Sequence, residues 1–227
     1  LTEWLNNEYA KQLDFSPMTK TRLGDKSANG ELDDVSEAAM FEQLEWYQDS
    51  VNQLLDNFEY AELNDEAQRS FDLWVYHLRQ AEASLKYRRH QFIFGRYGPQ
   101  SSLPNSFINY QIVETRQDAR DYISRLNQSG HYLMQYLERA RLGALDGIRP
   151  PFFDYELAIS EIKRVLTGHP FNEDGESVLW NDFKGKVRDL SVKGVIEESE
   201  VNDFLVQAQN ALLRQMLPAY EEILKWL

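Results

Sequence analysis

The stretch of sequence that decides the fold is TRQDARDYISRLNQSGHYLMQYLERARL, residues 115–142. Apolar side chains recur along it mostly at steps of three or four residues, which places them on one face of an α-helix. These residues are Ala119, Tyr122, Ile123, Leu126, Leu133, Leu137 and Ala140. Thr115 and Asp118 resemble a capping box, with Asp in place of the usual Glu or Gln. The pattern therefore predicts a long helix from Thr115 to about Leu142.

The same spacing predicts six further helices and no convincing strand on either side of this segment. Ser36 and Asn64 are candidate N-caps, each followed by an acidic residue in the first helical turn. Turn-forming residues interrupt the pattern at 19–34 and 91–114, which are predicted to be two long irregular loops. The other predicted helices span about 1–13, 36–58, 64–89, 154–166, 177–190 and 199–227, and Pro218 is expected to kink or restart the last one. We therefore predict one all-α domain over residues 1–227, with about seven helices in an antiparallel, bundle-like array.

The composition excludes several classes of protein. The 227 residues include no cysteine, which excludes a disulfide scaffold and any thiolate metal site. The net charge of −13 makes nucleic acid a poor partner, because phosphate binding requires Lys and Arg. No apolar run approaches the ~20 residues of a transmembrane helix.

The charge is unevenly distributed along the chain. Residues 1–70 carry a balance of −11 and residues 171–227 a balance of −5, whereas residues 71–170 carry +3. This distribution has two interpretations. Either the acidic residues form a solvated surface, or the middle third of the chain faces a partner, an acidic substrate or another part of the same polypeptide.

Sequence motifs for catalysis are absent. The four histidines are His77, His90, His131 and His169, and none has a second His four residues away or a Glu three residues before it. Zincin helices and di-iron bundles need those spacings to place metal ligands on one helix face. Neither the Gly-x-Ser-x-Gly elbow of serine hydrolases nor a glycine-rich phosphate loop occurs. We therefore predict no catalytic, cofactor-binding or metal-binding residue in this chain.

Aromatic residues are abundant, with 5 Trp, 12 Tyr and 12 Phe. Most of them fall on the predicted core faces of helices, but two groups lie elsewhere. Tyr97, Phe107 and Tyr110 lie in the predicted loop 91–114, and Phe152, Phe153 and Tyr155 follow a double proline. They either tether these segments to the core, or they line a groove or contact another domain.

Six short stretches, in the same order along nearly the whole chain, resemble the N-terminal part of the bacterial domain-of-unknown-function family 885. They are PMTKTRLGD at 17–25, LDDVS at 32–36, RHQF at 89–92 with the following Gly98 and Leu103-Pro104, DYISRL at 121–126, GIRPP at 147–151, and LPAYEEIL at 217–224. Members of this family look like zincin-type metallopeptidases and are often described as lipoproteins.

The resemblance implies a non-catalytic N-terminal helical domain of a longer hydrolase. Such a domain would form one wall of a substrate cleft, bind a peptide substrate there, and pack on a catalytic half of the same polypeptide. The family's zinc-binding His-Glu-x-x-Pro-Gly-His-His segment lies beyond the matched region, so zinc is expected only in that half. The loop residues Arg96, Tyr97, Gln100 and Ser101 are the expected cleft-facing residues.

The family's lipoprotein descriptions imply a location in the cell envelope, with a lipid anchor before Leu1 where one exists. Two alternatives remain open. The chain is either a self-contained helical interaction module without enzymatic context, or a small-molecule binder that uses the space between helices.

Overall fold

The computed structural model describes residues 1–227 and contains ten α-helices and no β-strand. The helices are α1 (Thr2–Asp14), α2 (Pro17–Arg22), α3 (Glu37–Asn57), α4 (Asp65–Leu85), α5 (Pro99–Tyr110), α6 (Arg116–Leu145), α7 (Phe152–Val165), α8 (Val178–Val192), α9 (Glu198–Ala211) and α10 (Leu217–Trp226). A 3₁₀ turn lies at Tyr60–Glu62, and a π-helical turn at Leu212–Met216 joins α9 to α10. The predicted all-α fold is confirmed, but the expected number of about seven helices is too low.

Three helix starts lie where the capping signals predicted them. The Ser36 hydroxyl accepts a hydrogen bond from the Ala39 amide at 3.1 Å, and the Asn64 side chain caps α4 in the same way. Thr115 and Asp118 form the predicted capping box, each side chain accepting from the other residue's amide. These contacts satisfy amides that the first helical turn leaves without partners, and they depend only on neighbouring residues.

Helix α6 lies at the centre of the main core. Its 30 residues make it about 45 Å long, and it packs against α5, α9, the π turn and α10. Leu126, Leu133 and Leu137 on its apolar face are almost completely buried. Helix α8 packs on α9, and α7 packs on α5. The apolar face that was predicted from residues 115–142 therefore organises the bundle.

Helices α3 and α4 form an antiparallel hairpin with a small core of its own. Tyr47, Val51 and Leu78 are buried between the two helices, separate from the main core. Helix α1 covers the hairpin through Trp4, whose ring makes edge contacts with Phe58 and Trp74. Helices α1, α3 and α4 thus form a separate apolar cluster beside the main bundle, whereas Met18 of α2 belongs to the main core.

The prediction that residues 19–34 are a loop is wrong at its N-terminal end, because α2 extends to Arg22. The helix starts at Pro17, where the missing amide hydrogen costs nothing. Its first turn is completed by Asp33, whose carboxylate accepts from the Met18 amide at 2.8 Å and from the Ser16 hydroxyl. This cap comes from 15 residues away and could not be recognised from local sequence.

Arg125 of α6 anchors the segment that follows α2. Its guanidinium is 3% exposed and donates five hydrogen bonds, all to neutral acceptors. The acceptors are the carbonyls of Pro17, Ala28 and Glu31 and the side chains of Thr21 and Gln111. Burial lowers the pKa of Arg125 to about 10, which leaves the side chain charged at neutral pH.

The prediction that residues 91–114 are irregular is wrong for their second half, which forms α5. Pro99 suits the first turn, but Pro104 lies inside the helix and cannot donate to the carbonyl of Gln100. The hydroxyl of Tyr220 on α10 donates to that carbonyl instead, at 2.9 Å. Burial raises the pKa of Tyr220, so its hydroxyl is neutral and remains a donor. A contact from a distant helix thus replaces the missing bond.

The variant Tyr220→Phe tests whether the tyrosine hydroxyl compensates for the hydrogen bond that Pro104 cannot make. The ring is fully buried and keeps its packing, so the variant loses only the hydroxyl and leaves the Gln100 carbonyl without its donor. We expect the free energy of unfolding to fall by about 1–3 kcal/mol, measured by urea denaturation. The matched control is Tyr76→Phe, because Tyr76 is half exposed on α4. A Tyr220→Phe variant as stable as this control would contradict the assignment.

The last helix is interrupted just before Pro218, as expected. The π turn at 212–216 precedes α10, and it lies against α6 at Gly130. A Cβ atom at Gly130 would lie 2.6 Å from the carbonyl oxygen of Gln215. The absence of a side chain at Gly130 therefore permits this close approach between α6 and the π turn.

Candidate functional site

Three segments and the C-terminal residues meet at one end of the main bundle. The segment after α4 contacts the end of α6, where Arg89 lies 3.3 Å from the carboxylate of Asp146. The loop before α5 reaches the C-terminus, where the rings of Phe94 and Trp226 are 6.1 Å apart. Tyr155 on α7 contacts the same Trp226 ring at 6.4 Å. This end therefore combines the loop 91–98, the α6–α7 turn and the last residues of α10.

Large apolar side chains remain exposed on these segments. Tyr97 is 86% exposed, Leu145 83% and Phe152 76%, and Phe153 and Phe92 are also more than half exposed. We call these five residues the terminal apolar face. A groove of about 340 Å³ adjoins it, lined by Arg149, Phe152, Tyr155, Ile159 and the C-terminal Trp226 and Leu227, among others. Of the five residues, Phe152 lines this groove directly. Exposed large apolar side chains on neighbouring segments are typical of surfaces that contact another protein segment.

The tethering interpretation is confirmed for two residues of the aromatic groups, and the contact with another domain stays a prediction for the exposed ones. Phe107 is buried and packs on Tyr122, with ring centroids 4.8 Å apart. Tyr155 is half buried beside Trp226. These two tether their segments to the core, whereas Tyr97, Phe152 and Phe153 project into solvent.

The four predicted cleft-facing residues separate in the structure. Arg96 and Tyr97 are exposed, and Ser101 is half buried in the first turn of α5. Gln100 is completely buried and therefore does not line an open cleft, which corrects the prediction for this residue. Its position on the first turn of α5 turns the side chain inward, beneath the loop that carries Arg96 and Tyr97.

Gln100 holds the loop in place from below. Its amide nitrogen donates to the carbonyl of Gly95 at 2.6 Å and to the carboxylate of Glu161 on α7 at 2.8 Å. Gly98 lies so close that a Cβ atom there would be 2.1 Å from the Gln100 side-chain oxygen and 2.5 Å from the Ile93 carbonyl. Gln100 thus links the loop, α5 and α7, and it fixes where Arg96 and Tyr97 are presented.

The geometry can now be compared with known proteins. The family described as "Bacterial protein of unknown function (DUF885)" matches residues 17–227, which is nearly the whole chain. This chain belongs to the DUF885 family. The resemblance noted from the six short stretches is therefore confirmed.

A solved structure has the same fold as this DUF885 chain. It is described as the putative lipoprotein from Colwellia psychrerythraea, and it superposes with a TM-score of 0.77 at 16% sequence identity. The match covers 96% of this chain but only 39% of that chain, so the DUF885 chain spans about two fifths of its neighbour's length. At this identity the likeness shows the fold alone. No curated protein matches the chain.

No group of three or more His, Cys, Asp or Glu side chains lies in a position to hold a metal ion. We therefore assign no residue of this chain to zinc. None of its helices combines the length and the apolar character needed to cross a bilayer.

Two members of the terminal apolar face, Leu145 and Phe92, were not singled out in the sequence. Leu145 is the last residue of α6 and lies about 80° around the helix from the buried Leu137, off the apolar face. Its helical spacing could therefore have identified it as an exposed leucine. Phe92 lies in the segment between α4 and α5, where no periodic pattern indicates its exposure.

Proposed function

We propose that this chain is the non-catalytic N-terminal helical part of a longer zincin-like metallopeptidase. In this proposal it forms one wall of a peptide-binding cleft and packs on a catalytic half that follows it in the same polypeptide. The observation that carries the proposal is the terminal apolar face, where Leu145, Phe152 and Tyr97 are each more than three-quarters exposed.

The position of the C-terminus supports this arrangement. Trp226 and Leu227 line the groove beside Phe152, so a polypeptide that continues beyond Leu227 would leave the bundle next to the exposed aromatic residues. The structural neighbour is more than twice as long as the part that this chain matches, which leaves room for such a continuation. Packing against the face would bury apolar side chains that are costly to expose.

The loop 91–98 supplies the proposed cleft wall. Arg96 and Tyr97 project from it, and Gln100 fixes it from below through the Gly95 carbonyl and Glu161. An arginine beside an aromatic ring suits a peptide substrate, because the cation can pair with a carboxylate or a carbonyl while the ring packs on a side chain. In the proposal Gln100 is a positioning residue and does not contact substrate.

We also propose that the protein is located in the cell envelope. The support is the description of the structural neighbour as a putative lipoprotein. Fractionation of cells that express the complete gene, with detection of this chain in the membrane and periplasmic fractions, tests the location. Recovery in the cytoplasmic fraction alone would contradict it.

The first experiment on the activity compares this chain with the product of its complete gene. We expect the reading frame to continue to a His-Glu-x-x-Pro-Gly-His-His segment, and the longer product to bind zinc and cleave peptides. The chain alone is expected to do neither. Stoichiometric tight zinc binding or peptide turnover by residues 1–227 alone would overturn the proposal. A reading frame that ends near Leu227 would also overturn it, and would favour a self-contained interaction module.

The second experiment tests the terminal apolar face within the longer product. The double variant Phe152→Ser/Phe153→Ser is expected to weaken the contact between the two halves and to reduce peptidase activity and thermal stability. In residues 1–227 alone the same variant should leave the melting temperature nearly unchanged, because both rings are exposed. Val192→Ser at the end of α8 is the matched control, since Val192 is 87% exposed outside this face. Equal effects of the double variant and the control would contradict the docking role.

A further inference from the structure

A second concave site lies at the base of the α3–α4 hairpin. It shares none of the five residues of the terminal apolar face, although its lining residue Gln91 directly precedes Phe92. It is a groove of about 450 Å³ between α3, α4, α1 and the segment after α4. This volume is within the range of about 300–1,000 Å³ that small-molecule sites occupy. Its apolar lining includes Met40 and Leu44 from α3 and Ala81 and Leu85 from α4.

A buried hydroxyl without a partner lies in the wall of this groove. Tyr47 is only 7% exposed, and its hydroxyl has no hydrogen-bond partner in the protein. The rings of Trp46 and Trp74 lie 5.4 Å and 5.2 Å from the Tyr47 ring and hold it in place. Burial raises the pKa of Tyr47 to about 12, so the hydroxyl is neutral and able to donate at physiological pH. Buried polar groups of this kind normally have a partner, which indicates that one is supplied from outside the chain.

The second polar group in the wall is the guanidinium of Arg88. Its Nε atom is buried and makes no hydrogen bond, and its closest carboxylate oxygen belongs to Glu37 at 3.5 Å. That carboxylate is already held by Arg89 through two bonds of 2.7 Å and 3.0 Å, which lower the pKa of Glu37. One acid is therefore shared by two arginines at this point. Arg88 keeps its 3.5 Å contact with Glu37, and its Nη1 donates to the Leu85 carbonyl at 3.3 Å, so the guanidinium still has hydrogens to donate.

The charge in the lining of this groove is positive only. Arg88 is its only charged residue, and the other polar side chains are the neutral Gln12, Gln43, Gln91 and Ser84. A cation would find no carboxylate in this groove. The Tyr47 hydroxyl and the Arg88 guanidinium can both donate further hydrogen bonds, since an arginine nitrogen only donates and the neutral tyrosine hydroxyl is free to do so. A ligand that supplies acceptor oxygens and a negative charge satisfies both.

We infer that this groove binds a small organic acid with an apolar tail. The carboxylate accepts hydrogen bonds from the Tyr47 hydroxyl and the Arg88 guanidinium. The tail lies along Met40, Leu44 and Leu85, where apolar contact replaces exposure to water. This inference goes beyond the proposed function and does not depend on it, because the whole groove is formed by residues 1–227.

The test is a titration of this chain with octanoate, followed by tryptophan fluorescence and by calorimetry. Trp46 and Trp74 contact Tyr47, so their emission reports occupancy of the groove. We expect saturable binding of one octanoate per chain. We also expect 1-octanol, which has the same tail and no charge, to bind at least about tenfold more weakly, because hydrogen bonds to charged groups contribute about 1.5–3 kcal/mol. Absence of saturable octanoate binding, or equal affinity for the two compounds, would overturn the inference.

Two substitutions assign the binding to these side chains. Arg88→Met should weaken octanoate binding about tenfold or more and leave 1-octanol binding unchanged. Tyr47→Phe should weaken octanoate binding about fivefold without loss of stability, because its hydroxyl has no partner in the folded chain. The matched controls on exposed positions of α4 are Arg79→Met and Tyr76→Phe. If Arg88→Met fails to fold, Ala81→Phe, which fills the groove, should abolish binding. The assignment would be overturned if Tyr47→Phe binds octanoate as tightly as the native chain does, and Arg88→Met or Ala81→Phe does so as well.

Discussion

Arg125→Met is expected to lower the free energy of unfolding by about 3–5 kcal/mol, the largest effect of any single substitution considered for this chain. Methionine fills similar space but donates no hydrogen bonds. The variant would remove the side-chain donor from the carbonyls of Pro17, Ala28 and Glu31. Pro17 and Ala28 would each keep a donor, from the Thr21 hydroxyl and the Glu31 amide. Urea denaturation followed by circular dichroism measures the loss.

The structure also indicates which segment of the Arg125→Met variant should unfold first. Residues 17–32 are held to α6 by Arg125, so limited proteolysis of the variant should begin in this segment. Arg120→Met is the matched control, because Arg120 lies on the same helix with its side chain exposed, and we expect a change within about 0.5 kcal/mol. An Arg125→Met variant within 1 kcal/mol of the native protein by this measurement would show that the five bonds contribute little.

Gly130→Ala is expected to destabilise the protein by about 1–3 kcal/mol, although helix propensity alone favours alanine by about 1 kcal/mol. The new methyl group would lie 2.6 Å from the Gln215 carbonyl oxygen and 3.1 Å from its carbon. Both are backbone atoms of the π turn and cannot rotate away, so α6 and the C-terminal helices must move apart. Thermal and urea denaturation give the sign and size of the change.

The control for this substitution lies in the same protein and should give the opposite sign. Gly185 is inside α8, and nothing lies within 4 Å of a Cβ atom built there. Gly185→Ala should therefore stabilise the protein by up to about 1 kcal/mol through helix propensity and reduced freedom of the unfolded chain. Stabilisation by both substitutions would show that the close contact at Gly130 is relieved without cost.

The parts of the fold that were predictable from sequence are those that depend on near neighbours. Ser36, Asn64 and Thr115 cap their helices through residues three positions away, and the period of residues 115–142 describes a single long helix. Helices α2 and α5 were not predicted because each depends on a hydrogen-bond partner from a distant part of the chain. Asp33 caps α2 across a loop, and Tyr220 supplies the donor that Pro104 removes from α5.

The candidate site was less predictable, because exposure and depth are properties of the assembled bundle. Arg96 and Tyr97 project from their loop, but Gln100 is turned inward by the first turn of α5. Phe107 and Phe152 have the same chemistry and similar local surroundings in sequence, yet one is buried and the other is 76% exposed. Tyr47 lies on an ordinary core face of α3, and only the structure shows that its hydroxyl lacks a partner.

Hydrogen exchange shows whether a further polypeptide segment docks on the terminal apolar face. Amide exchange is measured by mass spectrometry for residues 91–98 and 146–151, once in residues 1–227 alone and once in the product of the complete gene. We expect strong protection of both segments in the longer product and unchanged exchange in the mostly exposed turn 193–197 after α8. Equal exchange of residues 91–98 and 146–151 in the two proteins would contradict it.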